Sequence, residues 1–509
     1  MTPLALLLTL TASLSPLLTF AHLWQIKEWR VDRLREHLRS EGPCHQLCGA
    51  VRPLLLLLLL PPLLLRWMPA DLWTLTALTA LALLTVLQIA LDRQPCPLWT
   101  LKTLALVSGA FLLTLLAGLA VSLLFPQSPA LALLPLLQPL ALALSWLVFL
   151  PLDHFLKHRV MARAMSLRRA HPDLVVIGIT GSVGKTTTKE LLLHLLREQK
   201  AHATPAYVNT EMGVAQWLTK ELSSPTPPKI LIVEMGAYRR GEIALLCRIT
   251  QPTIGIITFI GTQHMGLFGS QQALLETKAE LFDALPQDGL AILNGDSPLA
   301  DALGEHAHSP TLTVSTGGGG DLEAMEIEET GTGVRFRLGD DYCTLPLHGT
   351  HNVTNVLLAL AAAEVLGLKR KESIKRLATF RPPEHTFSVR TIRALTLLDD
   401  THNASPVSFK AAIGWAKAQP AEEKVLFTSG LIELGEAEDR IHTELGIEAS
   451  GVFDRVIFTH RRHARAFERG LGTAVESFTK TTKSVSPSAL LICVGRIPEE
   501  LVRRLLPRS

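Results

Sequence analysis

Lys185 and Thr186 close the stretch Thr180-Gly-Ser-Val-Gly-Lys-Thr-Thr187, which follows the apolar run Leu174–Ile179 and precedes a run of helix formers. A strand, a glycine turn and a helix start in that order make a loop whose backbone N–H groups face an anion, with the lysine adding a point charge. The chemistry this predicts is nucleotide binding. Gly181, Ser182, Val183, Gly184, Lys185, Thr186 and Thr187 would wrap the phosphates of ATP, Lys185 on the β/γ-phosphates and Thr186 holding Mg2+ through its hydroxyl. Ile179 stands where the eight-residue Walker loop has its first glycine, so this is the shorter T-G-x-x-G-K-T-T form.

Elements that could position such a loop follow it. Apolar runs alternate with helical stretches from Leu174 onward, the signature of an α/β layer fold. Strands are expected at Leu174–Ile179, Ile230–Glu234, Ile254–Phe259 and Leu290–Asn294, and helices from near Lys185, Gly213, Gly241, Gln271 and Asn352. Leu312–Leu347, with the run Gly317–Gly320, reads as a β-rich excursion. Pro382-Pro383 marks a linker, and beyond it strands at Ala394–Leu398, Lys424–Thr428, Arg455–Thr459 and Ala489–Val494 form a second α/β unit. We expect domains at 173–381 and 382–509.

The residues before this are of another kind. Pro3–Trp24, Leu72–Leu91, Leu101–Phe125 and Pro129–Leu152 each reach the roughly 20 apolar residues a spanning helix needs. Pro53–Leu65 is shorter, between Arg52 and Arg66, and spans if both arginines snorkel. Five spans are expected over 1–153, with four as the alternative. Five place the basic loops Lys27–Arg52 and Asp92–Lys102 and the basic segment after Leu152 on one side, which the positive-inside rule makes cytoplasmic. The segment 154–172 reads as a basic juxtamembrane linker. The reading is a multi-pass protein of the cell membrane with cytoplasmic catalytic domains. A net charge of +3, without a basic patch among aromatics, argues against nucleic acid. Six scattered cysteines read as reduced thiols, and Cys44 and Cys48 as unpaired residues and not half of a metal site.

Seven further motifs accompany the loop in order: Asn209-Thr-Glu-Met-Gly-Val214, Val233-Glu-Met-Gly236, Gly261-Thr-Gln-His-Met-Gly-Leu-Phe-Gly-Ser270, Thr277-Lys-Ala-Glu-Leu-Phe282, His348-Gly-Thr-His-Asn-Val-Thr-Asn355, Leu398-Asp-Asp-Thr-His-Asn-Ala-Ser-Pro406, and Leu431-Ile-Glu-Leu-Gly435 before His442. From Leu174 to the C-terminus the chain resembles the Mur ligases, ATP-dependent amide-forming enzymes of cell-wall precursor synthesis, and most of all the branch that adds D-alanyl-D-alanine. The fold this implies is an α-helical transmembrane region followed by α/β, with a central P-loop ATPase domain and a C-terminal Rossmann-like α/β domain.

The resemblance implies an acyl-phosphate mechanism that releases ADP and phosphate. It implies that Glu234 and His264 hold metal and that Lys278 is carbamylated by CO2, becoming an anion able to bind metal. It gives Asn352 and Asn355 the adenine side of ATP and Asp400 the ribose end. One departure stands out. The family's nucleotide-clamping arginine falls on His385, with Arg390 nearby, and the tyrosine of the Asp-Asp motif is His402. In place of the family's soluble UDP-binding domain the chain has its apolar region. The carboxylate acceptor is therefore expected to be lipid-linked or otherwise unlike a UDP-sugar peptide, and the amine an amino acid or dipeptide. The alternatives are a membrane-bound polyglutamate-type synthase, a catalytically weakened nucleotide-binding scaffold motivated by His385 and His402, and, least favoured, a transporter.

Overall fold

The computed structural model describes residues 3–41, 70–125, 129–261, 268, 270–402, 404–432, 434, 437–461, 463–479 and 481–507. The chain divides into two units, Met1–His158 and Arg159–Ser509. In the first, the apolar runs are helices at Pro3–Ile26, Ala70–Ala90 and Leu101–Leu124, with a 3-10 segment at Pro129–Leu137 leading into Gln138–Arg169. Four described helices are long and apolar enough to cross a membrane. The fifth expected span, Pro53–Leu65, lies outside the described residues. The basic segment from His154 is no separate helix; it continues Gln138–Arg169, because only Pro151 interrupts its helix formers.

Side-chain contacts fix the direction of these helices. Thr85 Oγ1 donates to Ala12 O at 3.4 Å and Ser15 Oγ to Gln88 Oε1 at 2.5 Å, while Ala5 packs with Ala77 and Leu78. Pro3–Ile26 and Ala70–Ala90 therefore run parallel. Gln25 Nε2 bonds Thr103 Oγ1 at 2.9 Å, and a Cβ on Gly118 would meet Leu6, so Leu101–Leu124 runs the other way. Lys102 Nζ, at the start of Leu101–Leu124, bonds Asp153 Oδ1 at 2.8 Å and Lys157 Nζ approaches Asp153 Oδ2 at 3.1 Å, neutralising an acid within Gln138–Arg169.

The second unit is built on two sheets and a small one. Strands β1 (Val175–Thr180), β2 (Ala201–Ala203), β3 (Ile230–Glu234), β4 (Ile254–Ile257), β5 (Leu290–Asn294), β6 (Thr311–Ser315) and β7 (Leu322–Glu323) form a parallel sheet in the order β2-β3-β1-β4-β5-β6-β7. Its strands β1, β3, β4 and β5 are near-continuous apolar runs because both faces are covered. Alternation divides β1: Ile177 and Ile179 join the core under helices Lys185–Leu195 and Asn352–Val365, while Val176 joins the one under Glu211–Leu222, Glu242–Thr250 and Gln271–Asp283. The excursion expected between Leu312 and Leu347 is present. It includes an antiparallel sheet of β8 (Met325–Thr330), β9 (Gly333–Leu338) and β10 (Asp341–Leu345).

The last sheet contains β11 (Ser388–Ile392), β12 (Leu395–Asp400), β13 (Lys424–Gly430), β14 (Arg455–Phe458), β15 (Glu476–Ser477) and β16 (Leu490–Gly495) in the order β11-β12-β16-β13-β14-β15, parallel except for β11 against β12. The helix Pro406–Ala418 after β12 starts where Ser405 and Ser408 form a reciprocal capping box and Pro406 supplies a preset φ.

Candidate active site

β1 lies inside its sheet between β3 and β4, and its chain order reverses there. That is the point on an open α/β sheet where a crevice forms beyond the carboxyl ends of the strands. The loop after β1 occupies it. Gly181 has φ +143° and Gly184 φ +91°; a Cβ on Gly181 would overlap Thr258 Oγ1, and one on Gly184 would overlap Asn355 Oδ1. Ser182 N donates to Phe259 O at 2.9 Å and Thr258 Oγ1 to Val183 O at 2.6 Å, pinning the loop to the β4 side. Gly184 caps the helix Lys185–Leu195 without a side-chain acceptor, so the first N–H groups of that helix are left for an anion. Lys185 Nζ folds over this loop, donating to Gly181 O at 2.8 Å and Ser182 O at 3.0 Å.

Glu234, the last residue of β3, is buried beside the loop. Thr186 Oγ1 donates to its Oε2 at 3.1 Å and Asn209 Nδ2 to its Oε1 at 3.3 Å. Lys189 Nζ lies 3.4 Å from Oε2 and donates to Thr204 O at 2.9 Å. Lys189 is fully buried, and the reading of the sequence passed over it. It falls on the buried face of that helix with Thr188, Leu191, Leu192 and Leu195.

Lys278 sits inside the helix Gln271–Asp283, which begins at an N-cap where Ser270 accepts from Ala273 N. Its ammonium is buried, 5.9 Å from the centre of the Phe268 ring. Burial, reinforced by the Lys185 charge, pushes its pKa down to about 7 against the pull of Glu242 and Glu280. Burial also lowers Lys185, opposed by Glu234. His264 lies outside the described residues. Among the described residues no group of three or more His, Cys, Asp or Glu could hold a metal ion. Thr186 and Glu234 offer one hydroxyl and one carboxylate, a sparse set of hard oxygens of the kind Mg2+ takes when it keeps waters and phosphate oxygens around it. The residues present fit that ion.

Asn352 and Asn355 open the helix Asn352–Val365 and are both buried. Asn355 Nδ2 donates to Asn352 Oδ1 at 3.0 Å, and Asn352 Nδ2 to His348 O at 2.9 Å. Beside Asn355 a cavity of about 470 Å3 is lined by Val183, Asn294, Asp296, Thr316, His351 and Thr354. Asp296 was not singled out from sequence. It accepts from Ser315 Oγ at 2.7 Å, Thr316 N and Thr354 Oγ1, tying the end of β6 to the helix that carries Asn355. Burial drives the His351 imidazole down to about 4.

On the six-stranded sheet, burial pushes the Asp400 carboxyl up to about 6 against the hydrogen bonds from Ser408 and from Phe387 N, which donates to Oδ1 at 3.2 Å. His385, at φ +61°, bonds through Nδ1 to Asp399 Oδ2 at 2.8 Å, and Arg390, on β11, reaches the same oxygen at 3.2 Å. The structure thus groups Gly181 to Thr187, Glu234 and Asn355 around one loop, with Lys278 in the electrostatic field of Lys185. His385 and Arg390 converge on Asp399.

A phosphate-binding loop on a doubly covered parallel sheet, joined to a second, mostly parallel sheet with two adjacent aspartates at a strand end, defines a nucleotide-binding α/β protein. Comparison with known proteins narrows the class. Residues 179–363 match the Mur ligase middle domain. The UDP-N-acetylmuramoyl-tripeptide–D-alanyl-D-alanine ligase of Mycobacterium leprae is 32% identical over 367 residues, covering 65% of this chain and 70% of that protein. The Bacillus subtilis enzyme of the same name is 34% identical over 292 residues. The match takes in 56% of this chain and only 62% of that relative's length. Among solved structures, MurF from Acinetobacter baumannii superposes with a TM-score of 0.62 at 26% identity, over 69% of this chain and 80% of that one. MurF from Thermotoga maritima in complex with ADP gives 0.58 at 26%, over 68% and 82%. The chain belongs to the Mur ligase family and has its fold.

Proposed function

We propose that this protein is an ATP-dependent, ADP-forming ligase that joins a carboxylate to an amine through an acyl phosphate. The observation that carries this is the contact of Thr186 with Glu234, 3.1 Å apart at the mouth of the phosphate loop. It puts a hydroxyl and a carboxylate where they can hold the Mg2+ whose charge phosphate transfer needs. Mg2+, held by Thr186 and Glu234, would supply Lewis acidity to the phosphate oxygens. Lys185 swings from Gly181 O and Ser182 O onto the β/γ-phosphates. The N–H groups around Gly184 hold the phosphates, Asn352 and Asn355 the adenine side of ATP, and Asp400 the ribose end. An amine with a pKa near 7 is half unprotonated at neutral pH, and the free amine is the form that captures CO2. Adding CO2 to that free amine, with release of a proton, would make Lys278 a carbamate anion, the form that the resemblance assigns to the metal side with Glu234 and His264.

The acceptor, in this reading, is a cell-wall peptide carboxylate carried on a lipid, and the amine an amino acid or a dipeptide. Support comes from the apolar helices, which run through Gln138–Arg169 to within a few residues of β1. The protein is then an integral membrane enzyme with both sheets in the cytoplasm. The test is ADP release by the detergent-purified protein with UDP-linked and with lipid-linked peptide acceptors. Turnover only with the lipid-linked form supports the reading. Strong turnover confined to the UDP-linked form rejects the lipid part, and ADP release with neither rejects the ligase itself.

A further inference from the structure

The two residues that the sequence offers in place of the family's nucleotide-clamping arginine are both engaged. His385 and Arg390 share one oxygen of the buried Asp399. Another basic side chain on this sheet is placed differently. Arg496 follows Gly495, the last residue of β16. β16 lies between β12 and β13, with Val494 opposite Asp400 and Gly495 opposite Gly430, so Arg496 leaves the carboxyl edge of a parallel sheet beside Asp400. Ligands of open α/β sheets bind at that edge. Gly495 turns the chain there with φ +107°, and a Cβ on it would overlap Ser429 Oγ, so the turn is pressed against β13. The Arg496 side chain is exposed, and no carboxylate partner holds it among the described residues.

The other half of the site approaches this edge through His402, two residues beyond Asp400 at the end of β12. His402 stacks on Tyr207, ring centres 4.9 Å apart and planes 20° apart. Tyr207 lies two residues before Asn209, which reaches Glu234. The stacked pair therefore bridges the two sheets, one ring on the chain leaving β12 beside β16 and the other near the residue that holds Glu234. The charges of Arg496 and Glu234 act on the His402 ring in opposite directions, with burial the largest influence on it.

We propose that Arg496 binds an oxyanion of the reacting ligands across from Glu234, a phosphate oxygen of the nucleotide or the carboxylate of the amine substrate. An arginine presents a planar fork of donors suited to either. The proposal rests on the ligase reading for the identity of those ligands. It is tested by binding, which needs no turnover, so a protein that forms no amide would end the ligase reading and leave this result intact.

The experiment titrates the full-length protein in detergent with β,γ-methylene-ATP and Mg2+, and then titrates the loaded protein with D-alanyl-D-alanine and with its C-terminal amide. Arg496→Gln, Arg496→Lys and the surface control Arg504→Gln are compared with the unchanged protein, and all must melt alike. Arg496→Gln should weaken one anion on the order of tenfold, Arg496→Lys should recover part of that, and Arg504→Gln should change nothing. A loss on the ATP analogue assigns the phosphate. A loss on the dipeptide acid with none on the amide assigns the carboxylate. Unchanged affinity for the nucleotide, together with no loss specific to the acid, overturns the proposal.

Discussion

Lys278 shows how a single side chain's surroundings set its chemistry. In water its amine would be almost wholly protonated at neutral pH; burial next to Lys185 brings it to about 7. The folded pKa lies below the unfolded value of 10.5, so the unfolded state binds more protons between those values. In CO2-free buffer, stability should therefore rise as pH goes from about 7 towards 10.5, and Lys278→Met should flatten that slope in melting curves. With bicarbonate limiting, ADP release should fall as pH drops from 8 to 6, because the ammonium does not capture CO2. Lys278→Ala should cost on the order of 100-fold in turnover. Lys189 makes a different claim. Its buried ammonium lies 3.4 Å from Glu234 and 3.2 Å from Glu190, so Lys189→Met removes a buried counter-charge from the Glu234 carboxylate and should cost on the order of 3 kcal/mol. Mg2+ should restore more stability to this variant than to the unchanged protein, since the ion supplies the missing charge; equal Mg2+ effects in melting experiments would count against the pairing. Motif types and spacing made Lys185, Thr186, Glu234 and Lys278 legible in the sequence. Lys189 was not, because nothing local marks a lysine that buries itself against a strand 45 residues onward.

At the scale of elements, the loop and the Asn352–Val365 helix are one assembly. Gly184 needs φ +91°, which costs an L side chain about 1–2 kcal/mol, and its missing Cβ leaves the room that Asn355 Oδ1 fills. Gly184→Ala should therefore both lower the melting temperature and raise the Kd of an ATP analogue more than tenfold. Asn355→Ala, which opens space without straining the loop, should soften the nucleotide defect of Gly184→Ala if the clash is the cause; additive losses would rule that out. Strands such as Ile230–Glu234 and Leu290–Asn294 were readable to the residue, since doubly covered parallel strands are uninterrupted apolar runs bounded by polar ends. The order of the strands was not, because it depends on crossovers that leave no local mark. For the same reason the sequence could not say that β16 inserts between β12 and β13, and so gave no reason to notice Arg496.

For the whole molecule, the parallel packing of Pro3–Ile26 and Ala70–Ala90 has a topological consequence. Two parallel helices that both cross a bilayer start on the same side, so the chain between them must cross back once more. Pro53–Leu65, outside the described residues, is the apolar stretch that the sequence offers for that return, flanked by Arg52 and Arg66. We therefore expect five crossings. Cysteines decide it. Cys96, exposed between Ala90 and Leu101, should lie on the same side as Cys44 and Cys48 in a five-span protein and on the opposite side in a four-span one. With the buried Cys247, Cys343 and Cys493 shielded by folding, a membrane-impermeant maleimide can be applied to single-cysteine variants in intact cells and in inverted vesicles. Five spans with the basic loops inside predict labelling of position 96 and of positions 44 and 48 in inverted vesicles only. Labelling of position 96 from one side and of 44 and 48 from the other would return the count to four. It would also mean that the two helices do not both cross the bilayer in the parallel arrangement their side chains make.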